Sequence, residues 1–190
     1  MERKIAMNFS QSRYPVALLV TALFVTVAPP VAADMAKTSA DVFDQLRALE
    51  GAWASQAEQG EGEAHDEEAA LASQFDFAVS AGGTVVMETM NAGTTHEMIN
   101  MYHLDGEDLV LTHYCAAGNQ PTMKLDRAAL AEGKTQFAFT GGTNLDPAVD
   151  QHIHSVELNW QDDGSVAADW TSWGGGEQNA VMHFVLTRSE

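Results

Sequence analysis

The sequence has little cysteine and little positive charge. Cys115 is its single cysteine, and nine basic residues stand against 27 acidic ones, which gives a formal net charge of −18. One thiol excludes an internal disulfide, so packing must hold the fold together. An acidic surface repels nucleic acid and anionic membranes, so neither is an expected partner. The sequence also lacks the His-Glu-x-x-His, Gly-x-Ser-x-Gly and phosphate-binding glycine motifs, and it therefore predicts a binding protein more readily than an enzyme.

Residues 1–33 follow the order of a secretory signal peptide, with a positively charged start, an apolar run and small residues before a cleavage site. The run, residues 16–28, would form a helix only about 20 Å long, which is shorter than the roughly 30 Å hydrocarbon core of a membrane. We expect cleavage between Ala33 and Asp34, export to the periplasm or the medium, and no stable membrane insertion afterwards. The mature chain, residues 34–190, then carries six basic and 26 acidic residues, a formal charge of −20.

One helix and ten strands are predicted for the mature chain, which we expect to form a single domain. Apolar residues at i, i+1, i+4 and i+7 from Val42 to Leu49 indicate an amphipathic helix. Beyond it, apolar and polar residues alternate with period two, and glycine-containing turns interrupt the alternation at short intervals. The predicted strands are 52–58, 72–80, 84–90, 95–104, 108–116, 120–125, 134–140, 151–160, 165–173 and 180–188. This pattern favours an all-β fold, a ten-stranded antiparallel meander barrel.

The sequence around the first predicted strand resembles the Gly-x-Trp signature of the calycin barrels. Gly51-Ala52-Trp53 follows a short helix, as that signature does in lipocalins, in fatty-acid-binding proteins and, more distantly, in nitrobindin-like haem barrels. In those barrels a basic residue of the last strand packs across the tryptophan and closes the base. The resemblance implies that Arg188 has this role here.

Residues 46–188 are also similar to an uncharacterised family of exported bacterial lipocalin-like domains. The strings that carry the similarity are residues 97–106, Thr-His-Tyr-Cys-Ala-Ala-Gly-Asn-Gln-Pro at 112–121 and His-Ile-His-Ser at 152–155. This resemblance implies a lipocalin-like barrel and no particular activity. The haem site of the nitrobindin-like barrels is not carried over to this chain.

The His-x-His sequence of His152 and His154 lies within a predicted strand. Residues two apart on a strand project to the same face, about 7 Å apart, so the two imidazoles are candidate ligands for one metal ion or for haem iron. The alternative is a pair of histidines that only make hydrogen bonds near the end of the barrel. Both interpretations are open at this point.

The Asp105-Gly106 turn predicts which side chains share a face in the hairpin around it. A loop of two or four residues pairs even positions of the strand before the turn with odd positions after it. Asn100 and Tyr102 then lie beside His113, with His96 and Met98 further along the same face, whereas a three-residue loop would reverse the faces. If this face is interior, the hairpin lines an apolar cavity that contains a few polar groups, as is typical of small-molecule sites.

Three functions follow as hypotheses. The first is an exported carrier or sensor that holds a small, largely apolar ligand near Asn100, Tyr102, His113, His152 and His154. The second is a haem- or metal-binding barrel that uses the histidines, and the third is a protein-interaction module without a small ligand. The charge of the mature chain disfavours anionic ligands, because few basic residues are present to neutralise them.

Overall fold

The computed structural model describes residues 37–55 and 73–189. Within these residues the chain forms helices α1 (Ser39–Arg47) and α2 (Arg127–Ala131) and strands β1 (Gly51–Ser55), β2 (Ser73–Ser80), β3 (Val85–Met90), β4 (Met98–Asp105), β5 (Asp108–Tyr114), β6 (Gln120–Leu125), β7 (Thr135–Thr143), β8 (His152–Trp160), β9 (Val166–Gly174) and β10 (Glu177–Arg188). The predicted signal peptide and its cleavage site, Ala33 and Asp34, lie outside the described residues, as does the acidic segment 58–68.

The ten strands form one closed antiparallel barrel. Each strand pairs with its neighbours in the chain, and β1 pairs with both β2 and β10. The β1–β10 pairing spans residues 186–188, and in the described part of the chain β10 from Glu177 to Phe184 pairs only with β9. The prediction of an all-β, ten-stranded antiparallel meander barrel with a short N-terminal helix is confirmed.

Among the strands that begin later than predicted, β4 shows the largest shift, three residues, and the others shift by one. Strand β4 starts at Met98 rather than at residue 95, because residues 91–97 form a turn. Asn91 adopts a positive φ of 51° there, and the Glu97 carboxylate accepts a hydrogen bond from the Gly93 amide at 2.6 Å. The expectation that His96 shares the interior face of β4 is therefore wrong, and its side chain is exposed.

Helix α1 packs against β2, β4 and β5 and covers one end of the barrel. Thr38 caps its first turn in a capping box with Asp41, which satisfies backbone amides that have no partner within the helix. The side chains of Val42 and Leu46 are fully buried. The helix thus carries its apolar stripe into the same core that the strands enclose, and we call this end the helix end and the opposite end the far end.

The barrel closes where Trp53 and Arg188 are directly paired between β1 and β10. The guanidinium of Arg188 lies 4.6 Å from the ring centroid of Trp53. The indole N–H donates to the carbonyl of Leu49 at 2.6 Å, and Arg188 donates to the carbonyl of Glu50 at 2.9 Å. A Cβ on Gly51, whose φ is +120°, would lie 3.0 Å from the guanidinium, so glycine suits this position both in conformation and in space.

Candidate ligand site in the barrel interior

The β4–β5 hairpin has a two-residue loop, which is one of the loop lengths that the sequence left open. Asp105 pairs with Asp108 on either side of this loop. The register then places Asn100 opposite His113, and on the other side of β4 it places Asn100 opposite Glu88 of β3. Because cross-strand partners project to the same face of a sheet, these side chains are neighbours inside the barrel.

Four side chains form a continuous hydrogen-bonded row that we call the buried polar chain: Tyr102, Glu88, Asn100 and His113. The Tyr102 hydroxyl donates to Oε2 of Glu88 at 2.7 Å, and Nδ2 of Asn100 donates to the same oxygen at 3.0 Å. Oδ1 of Asn100 lies 2.7 Å from Nδ1 of His113. All four side chains are at most 3% exposed, so this is a polar row within an apolar core.

The hydrogen bonds along the buried polar chain determine which ring nitrogen of His113 carries the proton. Above its pKa of about 7 the Glu88 carboxylate only accepts hydrogen bonds, so Asn100 turns its amide nitrogen to Glu88 and its oxygen to His113. Nδ1 of His113 must then carry the proton, and Nε2 carries a lone pair. Burial lowers the pKa of His113 to about 4, which keeps the ring neutral at physiological pH.

Nε2 of His113 has no hydrogen-bond partner among the described residues, and neither has the indole N–H of Trp170. The two rings are neighbours, with centroids 5.7 Å apart and planes tilted by 45°. Both side chains are at least 98% buried. A buried polar group without a partner costs about 1–3 kcal/mol, so a ligand that satisfies these two groups would recover that cost.

Glu88 was not foreseen from the sequence, although it is the acid at the centre of the polar chain. Burial raises its pKa to about 7, against the opposing effect of the hydrogen bonds from Tyr102 and Asn100. The sequence contains one sign of its burial: on β3, Glu88 alternates with Val86 and Met90 on the face of the strand that is buried. Trp170 was also missed as a site residue, because a tryptophan on the inner face of a strand resembles any other core residue.

His152 and His154 lie in a second group, which we call the far-end cluster together with Phe139 and Trp173. Nδ1 of His152 lies 2.9 Å from the carbonyl oxygen of Asp150, and Nε2 of His152 lies 3.1 Å from Nδ1 of His154. The His154 ring is stacked between two aromatic rings, with centroids 3.8 Å from Trp173 and 4.8 Å from Phe139. Burial and the neighbouring His152 lower the pKa of His154.

In this arrangement three of the four ring nitrogens of His152 and His154 already take part in hydrogen bonds. Because Nδ1 of His152 donates to a carbonyl oxygen, its Nε2 must accept from Nδ1 of His154, and only Nε2 of His154 is left. The described residues contain no group of three or more His, Cys, Asp or Glu side chains placed to hold a metal ion. The pair reaches this contact through a bulge between Ile153 and Ser155, where the register with β9 shifts by one residue. Metal ligation by His152 and His154 stays a prediction.

The predicted site residues therefore fall into two groups. Asn100, Tyr102 and His113 are joined through Glu88, whereas His152 and His154 contact Phe139 and Trp173 instead. Among the described residues, no hydrogen bond or ring contact joins the two groups. Both belong to the half of the barrel towards the far end, since His113 is next to the last residue of β5 and His152 is the first of β8.

Two grooves on the outside of the barrel are separate from this site. One, of about 500 Å³, lies at the helix end between Thr38, Leu104 and Arg127. The other, of about 570 Å³, lies at the β8–β9 turn and against β9 and β10, beside Asp163 and His183. Neither is lined by a residue of the buried polar chain, so the chemistry described above belongs to the interior.

No family model, no curated protein and no solved structure is significantly similar to the chain. In the parts of the chain that the structure describes, no helix has the length and hydropathy needed to span a membrane.

Proposed function

We propose that this protein is an exported carrier or sensor that holds a small, largely apolar molecule inside its barrel. The observation that carries the proposal is the pair of buried, unpartnered polar groups, Nε2 of His113 and the indole N–H of Trp170. Small-molecule sites are mostly apolar and contain a few convergent polar groups that fix the orientation of the ligand. This pair has that composition, within the half of the barrel away from helix α1.

The surroundings of the pair also support the proposal. The core around it is aliphatic and aromatic, and Leu111, Met123, Phe137 and Val156 are fully buried in it. Three further hydrophobic side chains, Met98, Trp160 and Phe184, are only partly buried against this core.

Charge favours a neutral or cationic ligand. The mature chain is strongly acidic, and Glu88 is buried beside the proposed site. A carboxylate ligand would meet the repulsion of this charge and the lone pair of His113 Nε2. Among the basic side chains, Arg188 is engaged at the barrel closure and Lys124 pairs with Asp108 at 2.9 Å.

One observation favours a second candidate, a haem-binding barrel. His113 is neutral, and its Nε2 lone pair is directed away from the hydrogen bond that Asn100 makes to the other nitrogen. A histidine held in this way is the usual axial ligand of haem iron. The two propionates of haem are anionic, however, and the acidic chain disfavours them.

The two candidates differ in what the protein carries when it is purified from the cell that exports it. Native mass spectrometry and an absorbance spectrum would be recorded, followed by titration with the neutral fluorescent probe N-phenyl-1-naphthylamine. We expect saturable, 1:1 binding of the probe, weakened in His113→Phe and unchanged in His183→Phe, whose ring lies on the outer wall against Asp169. A Soret band lost in His113→Phe would replace the proposal with the haem candidate. Absence of any adduct and of saturable probe binding would overturn both.

A further inference from the structure

Four buried side-chain atoms of the described residues have no hydrogen-bond partner, and the two that belong to neighbouring rings, those of His113 and Trp170, have opposite hydrogen-bonding polarity. The indole nitrogen of Trp170 carries a hydrogen and can only donate. Nε2 of His113 can only accept, because the chain from Glu88 through Asn100 places the ring proton on Nδ1. The ring centroids lie 5.7 Å apart, so the donor and the acceptor belong to one small region. A ligand that satisfies both must present a donor and an acceptor close together.

Most simple polar groups satisfy only one of the two. A ketone or an ether accepts from Trp170 and leaves His113 without a donor. A carboxylate also only accepts, and in addition it brings a negative charge close to Glu88. An ammonium group only donates, and it leaves Trp170 without an acceptor. A hydroxyl group donates one hydrogen and accepts through its lone pairs, so a single oxygen atom matches both groups.

We propose that the ligand is an alcohol or a phenol, whose hydroxyl donates to Nε2 of His113 and accepts from Nε1 of Trp170. This inference rests on the proposed function and narrows it to one chemical class. The apolar body of the ligand lies against the interior side chains towards the far end. Selectivity comes from desolvation, because a ligand of the same shape without the hydroxyl leaves the buried acceptor of His113 unsatisfied.

The test uses two series of probes in which the apolar body is constant and only the polar group changes. One series is 2-naphthol, 2-methoxynaphthalene and 2-naphthoic acid, and the other is 1-decanol, methyl decyl ether and decanoic acid. Affinities for the intact mature protein would be measured by displacement of N-phenyl-1-naphthylamine at pH 8. We expect the hydroxyl compound in at least one series to bind ten-fold or more tightly than its methyl ether. The carboxylate is expected to bind no better than the ether.

Substitutions at the two groups connect the selectivity to its cause. His113→Phe and Trp170→Phe remove the acceptor and the donor while keeping an aromatic ring, and each should bring the alcohol-to-ether ratio below about three-fold. The matched controls are His183→Phe on the outer wall and Trp160→Phe, whose ring lies under Lys37. Both should retain the ratio of the unsubstituted protein. If an interior variant fails to fold, the ratio measured on the unsubstituted protein and on the remaining variant decides.

The possible outcomes distinguish a failure of the hydroxyl assignment from a failure of the proposed carrier function. Equal binding of alcohol and ether, a preference for the carboxylate, or a preference that persists in both interior variants would overturn the hydroxyl assignment and leave a small-molecule carrier. Failure of every probe in both series, N-phenyl-1-naphthylamine included, to bind the folded protein would overturn the carrier function and the hydroxyl assignment together.

Discussion

The guanidinium of Arg188 lies over the indole of Trp53, 4.6 Å from its centroid, at the register position that joins the last strand to the first. The indole is only 4% exposed, and Arg188 also donates to the carbonyl of Glu50 in the segment between helix and barrel. One side chain thus ties the final strand both to the first strand and to the segment that precedes it. The contact belongs to the closure of the barrel and lies away from the proposed ligand site.

This relationship predicts a large stability loss on truncation of the indole. Trp53→Ala removes a buried ring and should lower the free energy of unfolding by about 3–5 kcal/mol. Arg188→Lys keeps the charge but loses the planar face, and it should cost about 1 kcal/mol. Urea denaturation checks both, with Arg127→Lys, which forms exposed ion pairs with Glu107 and Asp108, as the control. A Trp53→Ala loss below 1 kcal/mol would contradict a closing role for this ring.

The predicted cleavage of the signal peptide determines the first residue of the mature protein. Signal peptidases require small side chains just before the cut, and Ala33 occupies the last such position. N-terminal sequencing of the protein from its producing cell should begin at Asp34. Ala33→Phe places a bulky side chain at the cut and should leave residues 16–28 attached. A mature protein that retains these residues without the substitution would disprove the predicted export.

The strand order and the hairpin register could be predicted because they depend on short stretches of sequence. Alternation gives the strands, and the Asp105-Gly106 turn restricts β4 and β5 to two possible sets of partners, of which the structure has the set for a two-residue loop. The far-end bulge at His154 could not be predicted, because an extra residue becomes visible only against the neighbouring strand.

The central acid of the candidate site escaped prediction for a similar reason. On its own strand, Glu88 is one acid among apolar residues, and an isolated acid in a strand is ordinarily exposed. Its burial depends on Tyr102 and Asn100, which supply hydrogen bonds from the next strand. A sequence reading that treats each strand separately therefore finds the histidine at the end of the polar chain and misses the carboxylate at its centre.

The raised pKa of Glu88 predicts how it affects stability across pH. Because its pKa rises from 4.5 to about 7 in the folded protein, folding favours the protonated form. The stability it contributes is fully present below pH 4.5 and is lost as the pH rises through about 7. Glu88→Gln lacks this titration, so its stability relative to the unsubstituted protein should improve between pH 4.5 and pH 8. The gain should be on the order of 3 kcal/mol.

Urea denaturation at several pH values would measure this difference directly. Glu107→Gln is the matched control, because its side chain is 88% exposed and its curve should stay parallel to that of the unsubstituted protein. A Glu88→Gln curve that also stays parallel from pH 4.5 to pH 8 would show that this carboxyl titrates at its ordinary pKa.

The lowered pKa of His113 predicts the opposite dependence of stability on pH. In the unsubstituted protein the effects of Glu88 and His113 should therefore partly cancel. The pKa of His113 falls from 6.5 to about 4 on folding, so the stability it contributes is present above pH 6.5. That stability is lost as the pH falls towards 4, because only the unfolded chain binds the proton. His113→Phe should therefore gain stability relative to the unsubstituted protein between pH 7.5 and pH 4, on the order of 3 kcal/mol.

Between pH 4.5 and 6.5 acidification thus stabilises the fold through Glu88 and destabilises it through His113, which predicts a nearly flat contribution from this pair. Each single variant removes one of the two opposing effects. Relative to the unsubstituted protein, acidification in that interval should therefore lower the stability of Glu88→Gln and raise that of His113→Phe. His96→Phe, at an exposed position, is the control for the histidine. The free energy of unfolding of each variant, relative to the unsubstituted protein, is the quantity to compare. If the two relative values change in the same direction with pH, the buried polar chain does not hold a protonatable acid and a neutral imidazole side by side.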